Sequence, residues 1–220
     1  MRIQPVRQPL YLLVTALLVS THVLAWDDNR IDTLWRTNAP AELSQTLDTD
    51  GFGRLYAHYR LGQLALERGD KKAAKASLYL VLDELKDNYQ DNDQAALYAA
   101  TLGLSIGLKP WQAVFIAGRA EDAMAASEAM DADHAPTAMV RGIGLFNTPA
   151  LMGGDKAAAL GHFSRALALY DGNEAWGLED AWLWQIKALM ALDRRAEAEV
   201  SARALLERYP DFISATEVLN

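Results

Sequence analysis

No cysteine occurs among the 220 residues. That absence excludes disulfides, thiolate metal sites, a cysteine nucleophile and a lipid-modified N-terminal cysteine, so the fold must rest on packing. Runs that alternate apolar and polar residues over a strand's length are missing too, which argues against sheet. Positive charge is scarce: 21 Lys and Arg stand against 29 Asp and Glu, a net charge of −8. Such a surface repels nucleic acid and anionic lipid, so neither is an expected partner. The acids are spread along the chain, with only Asp87, Asp91 and Asp93 denser than average. Solubility accounts for them as well as a binding role does.

Catalytic patterns are equally sparse. His22, His58, His134 and His162 show no H-x-x-x-H or H-E-x-x-H spacing. Asp48-Thr49-Asp50-Gly51 has part of a calcium-loop pattern, but Thr46 and Ala57 fall where the first and last ligands belong, so it reads as a turn. None of the serines sits in a G-x-S-x-G elbow, and there is no G-x-x-x-x-G-K-[ST] phosphate loop. The neighbouring acids Glu121-Asp122 and Glu179-Asp180 point in different directions on presumed helices and read as solvated or helix-terminal charges. The expectation is a non-enzymatic protein with no catalytic residue, no cofactor and no metal.

What the chain does have begins at its N-terminus. Arg2 and Arg7 precede an apolar run from Leu10 to Val19, and Val23-Leu24-Ala25 offers small or apolar residues where a signal peptidase reads. Residues 1–25 therefore look like a secretory signal, with 26–220 as the mature domain. Export without cysteine points to a bacterial periplasm. The alternative is an uncleaved anchor in the inner membrane over residues 8–25, the only route by which this chain would contact a membrane.

Beyond that segment, Gly and Pro cut an apolar-rich chain, 51% hydrophobic, into helix-length pieces, which predicts an all-α fold. A short helix is expected near Ile31 to Trp35, a break at Asn38-Ala39-Pro40, then four helical hairpins. The first runs from about Leu55 to Arg68 with Tyr56, Tyr59, Leu61, Leu64 and Ala65 on its apolar face; Gly69 ends it and Asp70 caps its partner, which carries Ala74, Leu78, Val81 and Leu85. A second spans Leu97 to Gly107 and Trp111 to Met130, with Gly103, Gly107, Gly118, Ala120 and Ala123 expected where its helices approach closely. A third carries Gly142 on one helix and Ala159, Phe163 and Ala166 on the other. The fourth covers Glu179 to Leu192 and Arg194 to Tyr209, and a capping segment follows Pro210.

One spacing recurs. Gly62 to Ala74 and Ile186 to Ala198 are both steps of twelve residues, whereas Gly142 to Ala159 is five longer because of Asn147-Thr148-Pro149-Ala150-Leu151-Met152-Gly153-Gly154-Asp155. This ladder of small and large residues resembles that of bacterial tetratricopeptide-repeat proteins. The stretch from Asp133 to Phe212 is similar to a secreted subgroup of them: Gly142, Asn147-Thr148-Pro149, Gly153-Gly154, Lys156, Phe163, Ala166-Leu167, Trp176-Gly177, Ala204-Leu205 and Pro210-Asp211-Phe212 fit its pattern. A looser similarity is to the helical-repeat accessory component of periplasmic transport systems. The resemblance implies a right-handed superhelix of about four antiparallel hairpins whose concave face binds another envelope protein or a peptide segment. His58, Gln185 and Lys86 depart from the general pattern, standing where an aromatic, a Leu and a Pro are usual.

The function expected is a periplasmic scaffold for protein–protein interaction; the alternative is a small-molecule-binding accessory protein of an envelope transporter. An open groove lined by Tyr56, Tyr59 and Trp184 would suit the scaffold. A deep cavity reaching Gly153 and Trp176 under the inserted loop would suit the carrier. The insert itself has two readings. Asn147 ties a structural loop while Leu151 and Met152 pack on neighbouring hairpins against Trp176, or Gly153, Gly154 and the amides after Lys156 bind an anion. Trp26, Trp35 and Trp184 are expected either to pack in the core or to face a groove or a partner.

Overall fold

A computed structural model describes residues 28–48, 51–172 and 175–216. The signal or anchor at residues 1–25 and the reading of Trp26 lie outside the described residues. Among those described, the structure is all helical and contains no strand.

Helix α1, Asp28–Arg36, and the short α2, Pro40–Ser44, precede two long helices, α3, Phe52–Glu67, and α4, Lys71–Leu85. The turn between α3 and α4 forms as local chemistry dictates: Gly69 takes φ +75°, and the Asp70 carboxylate accepts from the amides of Lys72 and Ala73 at 3.1 and 2.9 Å. At their crossing a Cβ on Gly62 would lie 2.6 Å from Leu78 Cγ, so glycine lets the helices meet here without moving Leu78.

Helices α5, Asn92–Ile106, and α6, Ala113–Met130, make the next packed pair. α5 begins earlier than its apolar pattern predicts because Asp91 caps it, accepting from Gln94 N at 2.8 Å. The role expected of its glycines is corrected here: a Cβ on Gly103 or Gly118 would meet nothing within 4 Å, so neither marks a helix contact. Ala123 does pack, and is buried.

α7, Ala135–Asn147, pairs with α8, Lys156–Tyr170, and α9, Leu178–Ala191, with α10, Arg195–Arg208. Gly142 repeats the role of Gly62, since its Cβ would stand 2.5 Å from the Phe163 ring. Ile186 and Ala198 are both fully buried between α9 and α10. The chain then stops its helix at Tyr209 and forms one more turn, α11, Ile213–Thr216, after Phe212 has packed edge-on against Trp35, ring centroids 5.3 Å apart. α1 thus touches the segment before α11 as well as α3, and the buried core cluster includes residues from Ile31 to Ala215.

Candidate functional site

The residues singled out in the sequence fall into two separate places. Asn147, Gly153, Gly154 and Lys156 belong to the α7–α8 connection, and Trp184 joins them through Phe146. Lys156 Nζ lies 5.6 Å from the Phe146 ring, whose centroid is 5.3 Å from Trp184, and Lys187 covers Trp184 at 4.3 Å. Tyr56, Tyr59 and Trp176 lie elsewhere, in the core. Tyr56 is 0% and Tyr59 4% exposed, so they line no open groove. Trp176 packs on Phe52 and Tyr56 and donates its indole N–H to Asp93 at 2.6 Å, while Asp93 also meets His134 Nε2 at 3.0 Å. Burial opposes ionisation of Asp93, yet the hydrogen bonds from His134 and Trp176 hold its pKa below the ordinary value.

The insert is a pinned loop. Asn147 Nδ2 donates to Ile143 O at 2.8 Å, Thr148 Oγ1 to Gly144 O at 2.8 Å, Gly154 N to Pro149 O at 3.1 Å, and Asp155 N to Leu145 O at 3.1 Å. Gly153 adopts φ +93°, and a Cβ on Gly154 would fall on the carbonyl of Thr148. The Asp155 carboxylate accepts from Ala157 N and Ala158 N at 2.8 and 3.0 Å, so the helix-terminal amides that an anion would use already have a partner. Leu151 and Met152, expected to pack against Trp176, instead stand 102% and 62% exposed at the loop's apex.

Two residues past Asp155, Ala157 is among the residues that line a groove of about 800 Å³ between α8, α9 and α10. Leu160, Trp182, Leu189 and Val200 give it apolar walls, and neither Gly153 nor Trp176 lines it. Gln185 also lines it and links the two flanking helices: it donates to Ser164 Oγ at 3.2 Å and accepts from Ser201 at 3.0 Å.

Sequence reasoning missed a third feature, a buried ionic cluster between α1, α3 and α9. Arg60 is 0% exposed. Its Nη2 donates to Asp32 Oδ1 and Asp180 Oδ2, both at 2.6 Å, its guanidinium lies 3.7 Å from the Trp35 ring, and Tyr56 OH donates to the same Asp32 oxygen at 2.5 Å. Beside it Arg36 donates to Glu179. The reading of Glu179-Asp180 as solvated is therefore corrected: both are buried, because the first turn of α9 aims them at the two arginines. Two guanidiniums here face three buried carboxylates. Burial, reinforced by the charge of Asp32, pushes Glu179 up to about 8, and burial raises Asp32 as well. One sign was present in the sequence: Arg60 lies four residues after Tyr56, on the face read as apolar.

No family model, curated protein or solved structure matches the chain.

Proposed function

We propose that this is a non-enzymatic scaffold of the tetratricopeptide type, exported to the bacterial periplasm, that engages another envelope protein. In this reading the four helix pairs, α3 with α4 through α9 with α10, stack as antiparallel hairpins in a right-handed superhelix. The repeat spacing, the signal-like start and the two glycine crossings at Gly62 and Gly142 support it.

The observation that carries the reading is Leu151, fully exposed on a backbone that hydrogen bonds and two glycines hold in one conformation. An apolar side chain gains nothing from water, and a rigid mount lowers the ordering cost of binding, so the loop has the physics of a presented contact. The groove of α8, α9 and α10, which Ala157 helps to line, is a second apolar surface in the same half of the chain.

The test is capture from envelope extract by the wild type and by a Leu151→Ser, Met152→Ser variant, with captured proteins identified by cross-linking and mass spectrometry. Because both side chains are exposed, unfolding should stay within about 0.5 kcal/mol of wild type. A specific cross-linked partner is expected to disappear in the variant. Capture that persists unchanged would overturn the assignment of the loop.

A further inference from the structure

α1 is a nine-residue helix with one buried face. Ile31, Asp32, Trp35 and Arg36, successive along that face, are all buried, whereas Arg30 and Thr33 on the other side are exposed. The surface under it is built from α3, α9 and the segment around α11.

Three observations separate α1 from the body it covers. The walls are held by their own neighbours: α3 by α4 through the Gly62 crossing, and α9 by α8 and α10. Without α1 the Arg60–Asp180 pair persists, Arg60 donating from Nη1 and Nη2 at 3.0 and 2.6 Å, while Glu179 is left without the base that Arg36 supplies. Finally, the contact is polar and complementary, Arg60 donating to an acid of α1 and the Glu179 carboxyl accepting from a base. Apolar packing tolerates many occupants, while buried donors and acceptors at fixed spacing reject those that leave them unpaired. The link from α1 to α2 is short, residues 37–39, with Asn38 at φ +55°.

We propose that the face of α3, α9 and the Tyr209 to Phe212 segment is a docking site for a helical segment of a partner protein, and that α1 is its resident, exchangeable occupant. The partner segment is defined by what α1 supplies: an apolar residue, an acid next to it, an aromatic three residues after the acid and a base directly following. The aromatic ring stacks on the Arg60 guanidinium, the acid completes the Asp32 position and the base reaches Glu179. This proposal rests on the scaffold reading but uses a different face from the Leu151 loop, so Leu151→Ser leaves it untouched and the two fail separately.

The test uses the full chain with a specific protease site replacing residues 37–39, and a labelled peptide of residues 28–37 as probe. After cutting, the body is expected to keep its helical circular dichroism and cooperative unfolding, to release the N-terminal fragment on dilution and to bind the probe. Asp32→Asn or Arg36→Gln in the peptide should weaken binding roughly tenfold or more. An unrelated helix that carries only the four residues at the same spacing should compete with the probe. Unfolding on cutting, a fragment that excess peptide cannot displace, or failure of that competitor would each overturn the proposal. Dimers of uncut chain formed by trading α1 would assign the face to a second copy and overturn it likewise.

Discussion

Arg60 and Asp180, 120 positions apart in the chain, form a two-pronged ion pair, Nη1 to Oδ1 at 3.0 Å and Nη2 to Oδ2 at 2.6 Å, with the guanidinium fully buried. The pair joins α3 to α9, and Asp32 brings α1 to the same cation. A buried pair of this kind adds little net stability over an apolar substitute, but it specifies which surfaces meet, since any other arrangement leaves a charge desolvated.

Removing the cation alone is therefore costly. Arg60→Met should destabilise by about 3–5 kcal/mol in urea unfolding, because Asp32 and Asp180 lose their shared donor. Adding Asp32→Asn and Asp180→Asn should recover a large part of that loss. Arg60→Lys should fall between wild type and Met, as an ammonium keeps the charge but not the fork.

Stability should fall with pH across neutrality. Glu179 has a folded pKa of about 8 against an ordinary 4.5, so between those values the folded state holds a proton that the unfolded state has released. Its contribution is complete below pH 4.5 and is lost as pH rises through about 8. Oε2 of Glu179 has no hydrogen-bond partner among the described residues, so a proton there displaces no bond. Urea midpoints of wild type measured from pH 5 to pH 9 should decline more steeply than those of Glu179→Gln, which removes this titration; equal slopes would exclude Glu179 as the source.

What the sequence made legible was local. Gly69-Asp70 and Asp155 act as turn and cap where their types predict, because capping chemistry is decided within three residues. The start of α5 is less legible, because Asp91 stands in a group of acids and only its bond from the Gln94 amide marks it as a cap. The ionic cluster was illegible because its partners are 28, 120 and 143 positions apart, and no periodicity encodes a pairing at that range. Tyr56 and Tyr59 do share one helix face, but that face is closed by Asp32 of α1 and by Trp176 rather than left open as a groove, and neither segment's own residues say where it docks.

The two glycine crossings should respond differently to the same change. Gly62→Ala presses on Leu78, whose isobutyl group can rotate, and it gains up to about 1 kcal/mol of helix propensity, so the net loss should be small. Gly142→Ala presses on the flat, fully buried ring of Phe163 and should cost about 2–3 kcal/mol. Phe163→Leu in the Gly142→Ala background should recover part of that cost, although Phe163→Leu alone destabilises. Urea unfolding of the four proteins checks the cycle.

The loop glycines separate backbone strain from collision. Gly153 sits at φ +93° with open space around its Cα, so Gly153→Ala meets only conformational strain and should cost about 1–2 kcal/mol. Gly154 has an ordinary φ, but an added Cβ would coincide with the carbonyl of Thr148, which itself stays in place because Thr148 N and Oγ1 both donate to Gly144 O. Gly154→Ala must therefore move the loop and should cost about 2 kcal/mol or more. The hydrogen bond from Asp155 N to Leu145 O should open with it, exposing that amide to exchange, whereas Gly153→Ala should leave its protection intact. Thermal melts with amide exchange at Asp155 decide the matter: equal losses and equal exchange in the two variants would mean that the loop is not held by the close approach of Gly154 to Thr148.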